Sequence, residues 1–283
     1  MKKYIKIIGF VALFLAIFVG FTYAGIKVWF NQAFVPKKIS WSEYNICNTI
    51  AFAAILLVYA LIYKLRGKSL IKIMDLKLMS VKNWVLAGLT GILMGVFTCC
   101  LCNIGFIKSL KVFDNYVNSI INGNSTALIF VVVITVTFAM EEMIFRGAIF
   151  NEIRSGVPLK WAVLLGTVLY GVFNAVFVGY FIGIYASFAA LFFTLGYIFL
   201  RSLWASITMQ IMSIYVIYFF YKSGIWQWLG KRGDAFLIFC TFATVVSILI
   251  IYYAMYKSYK NSGSNEFSEN TISGSIKVGL EDA

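Results

Sequence analysis

Runs of apolar residues long enough to cross a bilayer constrain this chain more than any other feature. A transmembrane helix needs about 20 predominantly apolar residues. The sequence contains eight such runs, near residues 5–28, 46–63, 84–107, 126–150, 161–178, 180–200, 203–221 and 235–256. The division between the fifth and sixth runs, at Gly179, is the least distinct. We therefore expect an all-α fold, a polytopic membrane helical bundle of about eight transmembrane helices.

The composition supports a membrane domain over a soluble one. Of the 283 residues 61% are hydrophobic and 12% are charged, about half the charged share of a soluble domain. A soluble fold could not hide this much apolar surface. We expect one transmembrane helical domain over residues 1–260, with the lipid bilayer as its surroundings. The polar residues 261–283 are expected to form a disordered cytoplasmic tail.

The basic charge of the chain favours a topology signal over nucleic-acid binding. The formal net charge is +13, from 24 Lys and Arg against 11 Asp and Glu. Nucleic-acid proteins are basic, but here the positive charges lie in loops between apolar runs, and we expect no nucleic-acid partner. Lys and Arg are more frequent in the segments that share a side with the two termini. The positive-inside rule then predicts that both termini are cytoplasmic in a multi-pass cell-membrane protein.

Two segments each allow two interpretations. The first apolar run follows Lys2 and Lys3, as in a signal peptide, but it continues to about Val28 without a convincing cleavage site, which favours a retained helix. The basic, partly apolar stretch 64–82 is compatible with an amphipathic helix on anionic lipid or with a plain cytoplasmic loop.

The absence of histidine limits the available chemistry. The chain contains no His, which excludes a Ser-His-Asp triad, an imidazole general base and a zinc site of the His-x-x-x-His type. A cysteine cluster, Cys99, Cys100 and Cys102, is compatible with metal binding or lipidation. Because the cluster lies inside an apolar run, buried thiols that act as small hydrophobes are the favoured interpretation. We expect no metal and no cofactor.

The fourth apolar run carries a costly group of charges. Glu141, Glu142 and Arg146 fall within six residues, and a charge inside a membrane span costs a few kcal/mol and commonly marks function. Glu142 and Arg146 are four residues apart, so they share a helix face and can pair. Glu141 is rotated by about 100° from Glu142 and pairs less well. It is the better candidate for a functional carboxylate, whereas the other two also fit a purely structural ion pair.

These residues resemble a known family. The run from Glu141 to Asn151 looks like the first motif, EExxxR, of the CAAX-protease and bacteriocin-processing (CPBP, or Abi) family of intramembrane proteases. Leu169–Asn174 resembles the second motif, with Tyr170 as its aromatic residue, and Leu195–Ile207 resembles the run before the third. The resemblance covers roughly residues 131–213. It places a family-like core at about 126–221 and implies a bacterial membrane protein.

The chain departs from the family at both motif histidines. Asn174 stands at the position of the first and Gln210 at that of the second, and neither Ser213 nor Ile214 supplies the Asn that should follow. The resemblance implies hydrolysis of a peptide bond by a metal-activated water or by a glutamate base. Here the set Glu141, Glu142, Asn174 and Gln210 offers only oxygen ligands, which are poor ligands for catalytic zinc.

Two functions are compatible with this combination. In the first, the chain is an intramembrane endopeptidase of CAAX-type or leader-peptide-processing kind. Its site would be Glu141, Glu142, Arg146, Asn174 and Gln210, and its activity would be weakened because Asn and Gln donate hydrogen bonds but cannot relay protons. In the second, it is an inactive relative that binds a peptide or membrane protein, for example in bacteriocin immunity or regulation. A transporter is a third, less favoured class.

Overall fold

The computed structural model describes residues 2–30, 41–122 and 127–261, and every regular element in these ranges is a helix. The predicted tail lies outside the described residues, apart from Asn261. The helices are α1 (Lys2–Phe30), α2 (Trp41–Leu65), α3 (Leu70–Met74), α4 (Val81–Asn103), α5 (Gly105–Ser109), α6 (Val112–Asn122), α7 (Ala127–Glu142), the π-helix π1 (Met143–Phe150), α8 (Asn151–Arg154), α9 (Leu159–Phe177), α10 (Tyr180–Leu200), α11 (Leu203–Lys222), α12 (Ile225–Leu229) and α13 (Asp234–Asn261).

The number of membrane spans agrees with the sequence pattern. Within the described ranges seven helices are long and apolar enough to cross a bilayer, namely α1, α2, α4, α9, α10, α11 and α13. The remaining predicted span is composite, because α7, π1 and α8 follow one another without a gap. The prediction of an all-α, polytopic bundle with about eight spans is confirmed.

The break between α9 and α10 depends on a glycine. Gly179 has a φ of 130°, a backbone conformation that only glycine adopts readily. The Val178 and Gly179 N–H groups both donate to the Asn174 carbonyl, which ends α9. The least distinct division in the sequence is therefore a real turn, and it sends α10 back along α9.

The helix π1 is held open by an asparagine side chain. The Asn151 Nδ2 lies 2.9 Å from the Gly147 carbonyl oxygen and 3.2 Å from that of Arg146, so it supplies hydrogen bonds along the widened turn. The same nitrogen lies 2.9 Å from the Ile73 carbonyl oxygen and 2.8 Å from the Tyr197 hydroxyl. One amide thereby ties the widened turn to α3 and α10. π-helical turns in membrane and soluble helices occur frequently at functional sites.

The basic stretch between α2 and α4 docks on the bundle. Its short helix α3 buries Leu70 and Met74. The Asp75 carbonyl accepts from the Leu203 N–H at 3.2 Å, and the Lys77 carbonyl accepts from the Ser202 hydroxyl at 2.5 Å. These bonds hold the stretch against the turn between α10 and α11. Leu70, Met74 and the backbone of Asp75 and Lys77 are therefore packed against the bundle, whereas Ile71 and Leu78 stay exposed.

A second buried ion pair fixes the composite span to α2. Glu152 is 4% exposed and receives two hydrogen bonds from Arg66, at 2.8 and 3.0 Å, and one from the Tyr63 hydroxyl at 3.1 Å. Bidentate Arg–carboxylate pairs are geometrically specific. The end of the span beyond π1 is therefore held in one orientation.

Small residues allow the site-bearing helices to approach their neighbours closely. A Cβ on Gly91 of α4 would lie 2.5 Å from the Met209 carbonyl oxygen of α11, and one on Gly95 would lie 2.7 Å from that of Ser213. On α9, a Cβ on Gly171 would lie 2.9 Å from the Gly183 carbonyl oxygen of α10. Small residues four apart are a common basis of helix association in membranes. These contacts set the positions of α9 and α11.

The close contact between α4 and α11 can be tested with two alanine substitutions on α4. Gly91→Ala should lower the thermal unfolding midpoint of the purified protein in detergent, because its methyl group must displace the α11 backbone. Overpacking of this kind costs about 1–3 kcal/mol. Gly88→Ala is the matched control, since a Cβ at Gly88 meets nothing within 4 Å, and it should leave the midpoint unchanged or raise it. Equal midpoints for the two variants would contradict the close packing.

Candidate active site

The three charges of the fourth apolar run are buried together in the composite span. Glu141 and Glu142 end α7, and Arg146 lies in π1. Their exposed fractions are 7%, 0% and 2%, respectively. Each charge therefore needs a protein partner, because an unpaired charge at membrane depth is costly.

Glu142 and Arg146 form the ion pair that their spacing predicts. The Arg146 Nη1 donates to the Glu142 Oε1 at 2.7 Å. The guanidinium carbon lies 4.3 Å from the centroid of the Tyr170 ring, a cation–π contact that adds to the pair. Within the described chain, Glu142 Oε2 and Arg146 Nη2 have no hydrogen-bond partner. The ion pair therefore contains one hydrogen bond, from Arg146 Nη1 to Glu142 Oε1.

Glu141 is held by a neutral donor from another helix. The Gln210 Nε2 of α11 donates to Glu141 Oε2 at 3.0 Å, and the same nitrogen lies 3.4 Å from the Tyr170 hydroxyl. Glu141 and Gln210, which are 69 residues apart in the sequence, are therefore brought into direct contact. The side-chain NH₂ group of Gln210 therefore faces the Glu141 carboxylate.

Asn174 lies beside this contact. It sits one helical turn beyond Tyr170 on α9, and its Nδ2 donates to the Tyr170 carbonyl at 3.0 Å. An amide nitrogen carries two hydrogens, so one N–H of Asn174 remains for another acceptor. The structure therefore joins Asn174 to Gln210 through Tyr170 and through the pocket that both line, whereas Glu141, Glu142 and Arg146 are not among the residues that line it.

A largely apolar pocket of about 70 Å³ adjoins the polar residues. Tyr170, Asn174 and Gln210 line one part of it, and Thr98 and Tyr185, whose hydroxyls are 2.6 Å apart, also belong to its wall. Most other lining residues are apolar or aromatic and come from α6, α7, α10 and α11, namely Phe113, Val117, Phe138, Ile182, Ala186, Ala189, Phe193, Ile214 and Ile217. Glu141 does not line the pocket, but it is hydrogen-bonded to Gln210, which does.

Tyr170 is the site residue that sequence reasoning did not include. It contacts Arg146 through its ring and Gln210 through its hydroxyl. Its place as the aromatic residue of the second motif was the available signal. An aromatic residue on an apolar helix is ordinarily a packing residue, which is why the sequence alone did not identify its polar role.

The donor atoms at the site do not fit a catalytic zinc ion. The nearby side chains present carboxylate and amide groups, Gln210 directs a donor nitrogen at Glu141, and Arg146 places a cation on Glu142. Zinc sites normally include nitrogen or sulfur ligands. In the part of the chain that the structure describes, no group of three or more His, Cys, Asp or Glu side chains is placed to share an ion. Cys99, Cys100 and Cys102 are free thiols buried among apolar side chains.

The same region carries the similarity to known proteins. Residues 123–216 match the family model described as type II CAAX prenyl endopeptidase Rce1-like. This region is therefore similar to the CAAX-protease and bacteriocin-processing family. The match includes all five predicted site residues and runs from the start of α7 into α11, so the resemblance inferred from the motifs is confirmed. No curated protein and no solved structure gives a significant match.

The buried ion pair predicts a non-additive pattern of stability. Glu142→Leu and Arg146→Met should each lower the unfolding midpoint strongly, because each leaves the other charge buried and unpaired, at a cost of about 3–5 kcal/mol. The double variant should lose much less than the sum of the two losses. Thermal unfolding in detergent measures all three midpoints.

The control for these three variants is a substitution in an exposed ion pair. Lys77 is 77% exposed and lies 2.9 Å from Asp75, so Lys77→Ala should change stability by less than about 1 kcal/mol. Strictly additive losses at Glu142 and Arg146 would show that the two side chains do not depend on each other.

Proposed function

We propose that this protein is a membrane-embedded endopeptidase of the CAAX-protease type in which Glu141 activates water. The observation that carries the proposal is the contact between the buried Glu141 carboxylate and Gln210 at the wall of an apolar pocket. A carboxylate in this position has no structural ion pair to maintain, since Arg146 pairs with Glu142. The family match supports the reaction class.

The proposed mechanism uses the groups in the order of their geometry. Glu141 takes a proton from water as the water oxygen bonds to the carbonyl carbon of the scissile peptide. The remaining N–H of Asn174 donates to the developing oxyanion, which is the role of a fixed donor in acyl transfer. The C–N bond then breaks, and the proton held by Glu141 passes to the leaving nitrogen. Glu142, Arg146 and Tyr170 keep the carboxylate and the amide in place.

We expect slow turnover. Asn and Gln replace the two motif histidines and cannot accept and return a proton, and a general acid–base group typically contributes a factor of about 10²–10⁴. Both N–H groups of Gln210 are used within the protein, by Glu141 and Tyr170. Glu141 would therefore act as base and then as acid with little assistance.

The second function is peptide or membrane-protein binding without hydrolysis. It is favoured by one specific observation, that Gln210 is hydrogen-bonded within the protein rather than directed at a substrate carbonyl. Such a protein would keep the fold and the pocket and act in immunity, secretion or regulation. The pocket has the same role in both functions, and the two differ in whether the bound chain is cut.

We also propose the cellular arrangement that the charge pattern supports. The helical domain over residues 1–260 would lie in a bacterial cell membrane with both termini cytoplasmic. The site core would be the region of about 126–221. The seven single-helix spans support the multi-pass arrangement in a lipid bilayer.

The peptidase proposal is tested by Glu141→Gln. The wild-type protein in lipid nanodiscs should cleave a farnesylated peptide that ends in a CAAX sequence, or a leader peptide, and mass spectrometry detects the products. Glu141→Gln should lower the rate by about 10²-fold or more, because an amide cannot take the proton. Glu152→Gln is the matched control. It alters a buried glutamate outside the site and should retain the rate per folded molecule.

Two results would contradict the peptidase proposal. Undiminished cleavage by Glu141→Gln would remove Glu141 from the mechanism. Absence of cleavage by the wild-type protein, together with retained peptide binding by both proteins, would leave the binding function.

A gain-of-function substitution tests whether the histidine positions remain competent. The double variant Asn174→His/Gln210→His restores imidazole at both motif positions and should increase turnover, because a proton-transfer group contributes about 10²–10⁴-fold. The measurement is the same cleavage assay, with each single substitution as its comparison. A folded double variant with unchanged turnover would show that the positions no longer face the reacting peptide.

A further inference from the structure

We propose that the segment 64–82, between α2 and α4, is a binding site for an anionic phospholipid of the surrounding bilayer. Its exposed lysines bind the phosphate of the headgroup, and its exposed apolar side chains contact the acyl chains. The proposal goes beyond the proposed function and does not depend on it, because none of these residues belongs to the candidate active site.

The segment lies at the end of several membrane spans. It connects the spans α2 and α4, which end at Leu65 and begin at Val81. Its Asp75 and Lys77 carbonyls accept hydrogen bonds from the turn that connects the spans α10 and α11. A connection that is held at the ends of four spans stays near the level of the lipid headgroups.

Large apolar side chains of the segment point away from the protein. Between 70% and 86% of the surface is exposed for Leu65, Ile71, Leu78 and Val81. A loop surrounded by water would leave this apolar surface hydrated, whereas the boundary between headgroups and acyl chains buries it. The exposed apolar side chains therefore favour contact with lipid over a purely solvated loop.

The cations of the segment outnumber their acidic partners. The segment contains six Lys and Arg residues and one acidic residue, Asp75. Asp75 pairs with Lys77 at 2.9 Å, and Arg66 pairs with the buried Glu152. Within the described chain no acidic side chain forms a salt bridge with the four other cations, and all four are exposed, namely Lys64, Lys68, Lys72 and Lys82. Charge complementarity therefore calls for an anionic occupant.

Neighbouring elements add positive charge at the same end of the bundle. Arg201 directly precedes the serine that donates to the Lys77 carbonyl. Arg154 ends α8, whose first residue donates to the Ile73 carbonyl. Clusters of basic residues beside a membrane span attract anionic headgroups, each Lys or Arg by about fivefold in affinity.

The segment also contacts the helix that carries Arg146. A Cβ on Gly147 of π1 would lie 2.7 Å from the Met74 side chain, so α3 and π1 are in direct contact. A ligand that binds only the folded state raises its stability. A lipid bound to the segment should therefore raise the unfolding midpoint of the bundle that contains the site.

Native mass spectrometry of the full-length protein in detergent tests the proposal. The probes are phosphatidylglycerol and phosphatidylcholine with the same oleoyl chains. The wild type should bind its first phosphatidylglycerol at least about tenfold more tightly than phosphatidylcholine, because several lysines act on the anionic headgroup. The variant Lys68→Gln/Lys72→Gln/Lys82→Gln should reduce this preference to about twofold or less. Phosphatidylglycerol nanodiscs should also raise the unfolding midpoint of the wild type more than that of this variant.

The matched control removes three exposed lysines from the opposite end of the bundle. Lys111→Gln/Lys222→Gln/Lys231→Gln has the same net charge as the first variant and should keep the wild-type preference. The acyl-chain contact has its own variant, Ile71→Ser/Leu78→Ser, which should weaken phosphatidylglycerol binding by about tenfold through lost apolar burial. All substituted side chains are exposed, so the variants should fold, and their unfolding midpoints verify this.

Four results would overturn the proposal. The first is a wild-type protein that binds both lipids equally, and the second is an equal loss of preference in the two lysine variants, which would reflect net charge alone. The third is unchanged lipid binding by Ile71→Ser/Leu78→Ser. The fourth is displacement of the lipid by glycerol 3-phosphate or a hexaglutamate peptide at equal concentration, which would assign the segment to a soluble anion or an acidic protein.

Discussion

The pairing of Glu142 with Arg146 is the interaction on which the remainder of the site depends. Three charges within six residues could not remain in a membrane span unless most of their cost were offset. The pair neutralises two of them within one helical turn, at 2.7 Å, and its cation rests on the Tyr170 ring. That contact places the Tyr170 hydroxyl next to Gln210. Glu141 is thereby left to a neutral donor, Gln210, which is what distinguishes it chemically from Glu142.

The geometry of this polar cluster is set by packing outside it. Gly91 and Gly95 bring α4 against the backbone of α11, and Gly171 brings α9 against α10. The helices that carry Gln210 and Tyr170 are therefore fixed by backbone contacts, which have little freedom to adjust. Asn151 and Glu152 hold the far end of the composite span. A hydrogen bond between residues 69 positions apart depends on all of these contacts.

The sequence predicted the spans, the buried charged group and the region that matches the family model because each leaves a local pattern. Apolar runs of bilayer length indicate helices directly, and a spacing of four predicts the Glu142–Arg146 pair. The partner of Glu141 has no such local pattern, since Gln210 reaches it from another helix. The sequence analysis treated Gln210 as a hydrogen-bond donor of the site, and in the structure its side-chain nitrogen donates to Glu141. The docking of Asp75, Lys77 and Asn151 on other parts of the bundle depends on tertiary hydrogen bonds, which leave no periodic signal in the sequence.

The separation of these partners along the chain has a consequence for biogenesis. Arg146 is synthesised four residues after Glu142, so the pair can close while the fourth span is still entering the bilayer. Gln210 belongs to a helix made later, and Glu141 must wait for it. The nascent fourth span therefore enters the membrane with one glutamate unsatisfied, and only the arrival of α11 completes its hydrogen bonding. Assembly of the bundle and completion of the site are, for this residue, the same event.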